Sequence, residues 1–125
     1  MLDQFHVPDE VAVYVDPDAM RSTVEDIFAA LGMPEEHARQ SADVLLYADV
    51  RGIDTHGVSN MLRFYVQRIR DGKINLQPKW RITHEAPAAC TIDSDQAHGG
   101  VIGPEAMKEA ISRRKKYGVG AVTVS

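Results

Sequence analysis

Residues 49–58, Asp49-Val50-Arg51-Gly52-Ile53-Asp54-Thr55-His56-Gly57-Val58, lie between two segments of helical periodicity, and their reading decides how the first half of the chain folds. Gly52 and Gly57 bracket a carboxylate, a hydroxyl and an imidazole. A side chain at such a junction can face a cleft while scaffold on both sides holds it. His56 beside Thr55 is a candidate proton donor, because an imidazole titrates near neutral pH and an adjacent hydroxyl can pass the proton on. The competing reading is structural: Asp54 or Thr55 caps the helix that follows, and His56 sits on its exposed first turn. Spacing alone leaves both open.

Upstream of the run, Val11 to Val15 alternates well enough for a short strand, and Asp16-Pro17 opens a helix with aspartate as its cap. Met20, Val24, Ile27, Phe28 and Leu31 then form one apolar stripe, ended by Gly32. A second helix starts at Pro34, with Glu35 and Glu36 at the positive end of its dipole and Ala38, Ala42, Leu45 and Leu46 on its apolar face. Downstream, a third helix is predicted from about Val58 to Asp71, stopped by Gly72. Its buried stripe is Met61, Leu62, Tyr65, Val66 and Ile69. At roughly 100° per residue, His56, Asn60, Arg63 and Gln67 share the opposite, polar face if the helix reaches back to His56.

After Gly72 the texture changes. Trp80–Glu85 and Ala88–Asp93 read as short strands with Ala86-Pro87 between them, a plausible hairpin. Asp95 to Gly103 reads as a polar, glycine-rich loop with His98 near its tip, leading to a helix that starts at Pro104. That helix would bury Ala106, Met107, Ala110 and Ile111 and be capped by Gly118. Val119 to Val124 reads as a buried strand of small and β-branched residues. The order, three helices, two strands, a helix and a strand, predicts an α/β fold with a mixed sheet. An N-terminal helical subdomain would occupy residues 1–76, and the start of the mixed-sheet nucleotide/substrate domain residues 77–125. The β-rich run at the end, with no turn signal after it, suggests an incomplete fold continued elsewhere.

Composition excludes several classes. The chain has 125 residues, 44% of them hydrophobic, which suffices for a core. A net charge of −4 argues against a nucleic-acid binder. The single Cys90 rules out an internal disulfide framework and fits a reducing, cytoplasmic setting; it reads as a buried apolar residue. No apolar run reaches membrane-spanning length, so no membrane association is expected. His98-Gly99-Gly100-Val101-Ile102-Gly103 is only a near miss of the dinucleotide fingerprint. The five histidines lack paired metal-ligand spacing, so no metal site is assigned. The basic run Arg113-Arg114-Lys115-Lys116 complements a helix C-terminus and reads as a solvated face.

Together, Ala48 to Val58, Tyr65, Gly72, Lys73-Ile74-Asn75, Gly99-Gly100, Pro104, Ala106-Met107, Ala110-Ile111 and Gly118-Val119-Gly120 carry a resemblance. The chain resembles the malate/L-lactate dehydrogenase family that lacks a Rossmann fold, whose members include sulfolactate and ureidoglycolate dehydrogenases, diketogulonate reductase and piperideine-carboxylate reductase. Arg51 to Val58 matches the family's Arg-Gly-x-Asp-Ser/Thr-His-Gly-Val pattern throughout, and the likeness extends from Met20 to the end. The resemblance implies an NAD(P)-dependent oxidoreductase moving a hydride between nicotinamide and a small 2-hydroxy or 2-oxo acid, a homodimer when complete. Thr55 and His56 then map onto the family's proton relay. An imidazolium stabilises and protonates the alkoxide that hydride addition to a ketone creates.

Two departures qualify the match. The family usually has an arginine four residues after the histidine, holding the substrate carboxylate; here that position is Asn60. Asn60 and Arg63 are the candidate substrate-binding residues, with Arg63 placed to take over the charge and a shifted or different substrate equally open. Family members also run to well over twice this length, with their next functional motif and most cofactor contacts expected beyond Ser125. No cofactor-binding residue is therefore assigned, NAD and NADP stay equally open, and the 125-residue chain alone is expected to be inactive. The alternatives are a non-enzymatic helical interaction module and a cyclic imino acid reductase of the same family.

Overall fold

A computed structural model of the chain describes residues 8–125, which divide between Gly72 and Lys73 into two compact units.

The first unit is helical. Helix α1 (Pro17–Ala30) starts as its sequence dictates: the Asp16 carboxylate accepts the Ala19 N–H at 2.8 Å, and Pro17 takes the first helical position. Its stripe buries Val24 and Phe28 completely against α2 (Glu35–Val50), which contributes Ala38, Ala42, Leu45 and Leu46. Small residues on α2 leave room for the larger α1 side chains, so the two helices approach closely. Helix α3 (Val58–Arg70) packs on both of these helices, burying Ile69 and half-burying Met61, Leu62, Tyr65 and Val66.

Two expectations fail in this unit. Residues 11–15 form no strand. Val11, Val13, Tyr14 and Val15 are all more than half exposed, so the alternation marks no buried face, and no described strand offers them a ladder. Helix α3 also stops short of His56. Gly57 is extended (φ −86°, ψ −174°), and residues Asp54–His56 form a separate 3-10 turn before it. The helical face expected to join His56 to Asn60, Arg63 and Gln67 is therefore broken at Gly57.

The second unit is a three-stranded mixed sheet with one helix. Strands β1 (Arg81–Ala86) and β2 (Ala89–Asp93) form an antiparallel hairpin whose turn is Pro87-Ala88, one residue later than expected. Helix α4 (Gly99–Tyr117) connects β2 to β3 (Ala121–Val124), which pairs parallel to β2 and gives the order β1-β2-β3. Parallel neighbours require such a crossover. The core is Cys90, Ile92, Ile102 and Ala106, with Ala97 and Val122 packed on it.

Helix α4 starts five residues before Pro104, because His98 caps it. The Nδ1 of His98 accepts the Gly100 N–H at 3.2 Å, and the His98 carbonyl accepts from Val101 and Ile102. The early start changes the buried face to Val101, Ile102, Ala106 and Arg113, while Met107 and Ile111 are 59% and 48% exposed. Strand β3 is largely exposed rather than buried, since it forms one edge of the sheet.

Candidate active site

The junction between α2 and α3 is built by four hydrogen-bonding devices, two of backbone alone and two that use a side chain. At the end of α2, Gly52 adopts the left-handed conformation (φ +67°). This lets the Gly52 N–H reach the Asp49 carbonyl (3.0 Å) and the Ile53 N–H reach the Ala48 carbonyl (2.9 Å), a Schellman ending that turns the chain sharply. The 3-10 turn follows, with the His56 N–H on the Ile53 carbonyl at 2.9 Å. The Asn60 side-chain amide donates to the Asp54 carbonyl at 2.6 Å, tying the turn to α3. Finally, the Asp49 carboxylate accepts the Val58 N–H at 2.9 Å, capping α3 from across the junction. Gly57 makes that approach possible: a Cβ there would collide with the Asp49 carboxylate.

Neither Asp54 nor Thr55 caps α3, contrary to the structural reading of the run; no side chain of the preceding turn does so. The Thr55 hydroxyl instead lies 2.7 Å from His56 Nδ1, and the imidazole is exposed. Such a pair can carry a proton. With Nδ1 occupied by the hydroxyl, the opposite ring nitrogen, Nε2, is the one an outside group would meet. Asn60 is committed to the turn. Arg63 is exposed and makes no hydrogen bond or ion pair among the described residues. Gln67 is held by Asp71 at 2.7 Å. Burial raises the Tyr65 phenol above its ordinary value, so it stays protonated at neutral pH. A groove of about 550 Å³ runs beside the junction, lined by Val13, Tyr14, Met20, Leu46 and Val50 with Asp49 and Asp54 among its walls, but Thr55 and His56 lie outside it.

Asp49 went unrecognised in the sequence because it is nine residues from the amide it caps. The signal was an absence: a helix beginning Gly57-Val58 has no capping side chain of its own, so the acceptor must come from elsewhere.

In the second unit, two polar residues depart from their sequence reading. His98 is no loop tip. It is 2% exposed, and burial pushes its pKa down to about 4, so the imidazole is neutral at physiological pH. Arg113 is not part of a solvated basic face. It is buried, donating to the Ala86 carbonyl (2.6 Å) and pairing with Glu85 (2.8 Å) and Glu109 (2.9 Å). Cys90 is buried beneath α4. Among the described residues, no cluster of His, Cys, Asp and Glu is placed to hold a metal ion, and no helix is long and apolar enough to cross a membrane.

A family profile described as malate/L-lactate dehydrogenase matches residues 15–125. Malate dehydrogenase from Pyrococcus abyssi is 43% identical over 116 residues, covering 93% of this chain and 32% of that protein. Ureidoglycolate dehydrogenase (NAD(+)) from Escherichia coli K12 is 32% identical, covering 89% and 32%. The structure of malate dehydrogenase from Pyrococcus horikoshii superposes with a TM-score of 0.88 at 39% identity, covering 95% of this chain and 34% of that one. The chain spans about a third of the length of the relatives it matches. With the family profile covering nearly the whole sequence and the fold shared with a solved member, the chain belongs to the malate/L-lactate dehydrogenase family.

Proposed function

We propose that this chain contributes the proton-donating and carboxylate-binding part of an NAD- or NADP-dependent dehydrogenase acting on a small 2-hydroxy or 2-oxo acid. The observation that carries the proposal is the 2.7 Å contact between Thr55 Oγ1 and His56 Nδ1 on an exposed turn clamped at both ends. The dinucleotide, when bound, supplies the hydride chemistry; no described residue of this chain is assigned to hold it. In the reducing direction the substrate ketone oxygen gains electron density, and the proton on His56 Nε2 passes to it. Thr55 holds the ring orientation through Nδ1 and exchanges a proton with the imidazole as it is recharged. Arg63, exposed and uncommitted, supplies the cation for the substrate carboxylate in place of the family arginine that Asn60 replaces. The names of the relatives support this reading: malate and ureidoglycolate are both small hydroxy acids, and one name carries NAD(+).

The test is a His56→Ala substitution in the whole protein, assayed with NADH and NADPH against a panel of 2-oxo acids and cyclic imino acids. The expected result is a fall in kcat of roughly 10² to 10⁴, with cofactor affinity little changed. Wild-type turnover by the variant on every compound the parent reduces would remove His56 from the chemistry. Preference for a cyclic imino acid over all 2-oxo acids would shift the substrate class while leaving the proton donor in place.

A further inference from the structure

We infer that Asp49 is a positioning residue for the Thr55–His56 pair, acting through its hydrogen bond to the Val58 N–H across the side-chain-free space at Gly57; the inference rests on the proton-donor reading of His56. Asp49 lies in the last turn of α2, where a carboxylate faces the negative end of that helix's dipole and gains nothing from it. Its favourable contact is with the start of α3, whose N-cap, Gly57, offers no side chain. One carboxylate thus holds the end of α2 against the beginning of α3, and residues 50–57 are pinned between the two.

Within that interval every other hydrogen bond is short-range. The Schellman bonds act at Gly52 and Ile53, and Asn60 holds the Asp54 carbonyl. Neither bridges the last turn of α2 to the first amide of α3. Asp49 does, and the Cβ collision at Gly57 shows that its carboxylate occupies the gap itself. Removing it lets the start of α3, and the turn attached to it, shift by the width of a carboxylate. A displacement of about 1 Å suffices to cost a catalytic group on the order of 10²-fold in rate.

The experiment has two readouts. On the 125-residue chain, the ring-nitrogen NMR shifts of His56, assigned by their loss in His56→Ala, report whether Nδ1 keeps its partner. In the whole protein, kcat and KM report the consequence. Asp49→Ala is expected to erase the wild-type Nδ1 signature and to lower kcat on the order of 10²-fold, with KM for the cofactor unchanged. Asp49→Asn keeps an oxygen acceptor of the same shape and should restore both readouts toward wild type. If Asp49→Ala fails to fold, Gly57→Ala decides, since its methyl group must push the carboxylate out of place while the extended backbone at residue 57 accepts alanine without strain. The inference is overturned if Asp49→Ala or Gly57→Ala leaves the His56 signature and kcat at wild-type values, or if Asp49→Asn is as impaired as Asp49→Ala. Should His56→Ala itself keep full turnover, the proton-donor reading falls, and the NMR signatures still decide whether Asp49 positions the pair.

Discussion

At the scale of single residues, Arg63 and His98 make opposite demands on their surroundings. Arg63 stands exposed on α3 with its charge uncommitted among the described residues. Arg63→Ala is expected to raise KM for an anionic substrate more than it lowers kcat, because the ground-state carboxylate contact proposed for it would be lost. Titrating KM against ionic strength checks the charge: the wild-type advantage should shrink as salt screens it. His98 is buried, and its folded pKa of about 4 lies below the 6.5 of an unperturbed imidazole. Between these two values the unfolded chain binds a proton that the folded chain excludes, so stability rises with pH there. Its contribution is complete above pH 6.5 and is lost as pH falls toward 4, a total of about 3 kcal/mol. Urea melts of the wild type and of His98→Asn, which retains a capping side chain, should differ in slope between pH 6.5 and 4, the variant being flatter.

At the scale of elements, one close contact in each unit can be tested for its share of stability. In the first unit Phe28 and Val24 are wholly buried where α1 meets α2, so Phe28→Ala is expected to cost about 3–5 kcal/mol by loss of contacts and cavity formation. A denaturant midpoint shift well below that range would mean the helices close over the gap. In the second unit Arg113 ties α4 to the hairpin through the Ala86 and Pro87 carbonyls and Glu85, and Glu109 adds a pair within the helix. Arg113→Ala should therefore lower the melting temperature clearly more than Arg114→Ala, whose side chain is exposed. Equal effects would reduce the Arg113 network to a surface feature. These two elements show where sequence periodicity works and where it fails. The α1 stripe was legible because its cap and its spacing agree. The α4 face was not, because the cap is a histidine, an uncommon choice, and the conspicuous Pro104 drew the helix start five residues too late.

At the scale of the whole molecule, β3 forms an edge of the sheet, with its own Val124 44% exposed and Val119, just before it, 60% exposed. An open edge offers unpaired backbone groups to another strand. The 125-residue chain is expected to self-associate in a concentration-dependent way in sedimentation velocity, and Val124→Lys should reduce that association by placing a charge on the edge. A concentration-independent monomer would show that the edge is protected.

The sequence by itself determined the elements whose information is local: the capped α1, the glycine-ended helices, the hairpin and the crossover to β3, together with the Arg51–Val58 pattern that identifies the family. Periodicity and capping act within a few residues, so they can be read from neighbours. Tertiary structure alone decided the rest. It decided between the two readings of Thr55, which the sequence had left open, placing its hydroxyl on His56 rather than at the start of α3, and it brought Asp49 to an amide nine residues away. It also buried His98 and Arg113, which composition assigns to the surface. The Asp49 and Arg113 contacts join groups from separate elements, and a polar side chain shows such a partner only when the chain has brought it within hydrogen-bond reach.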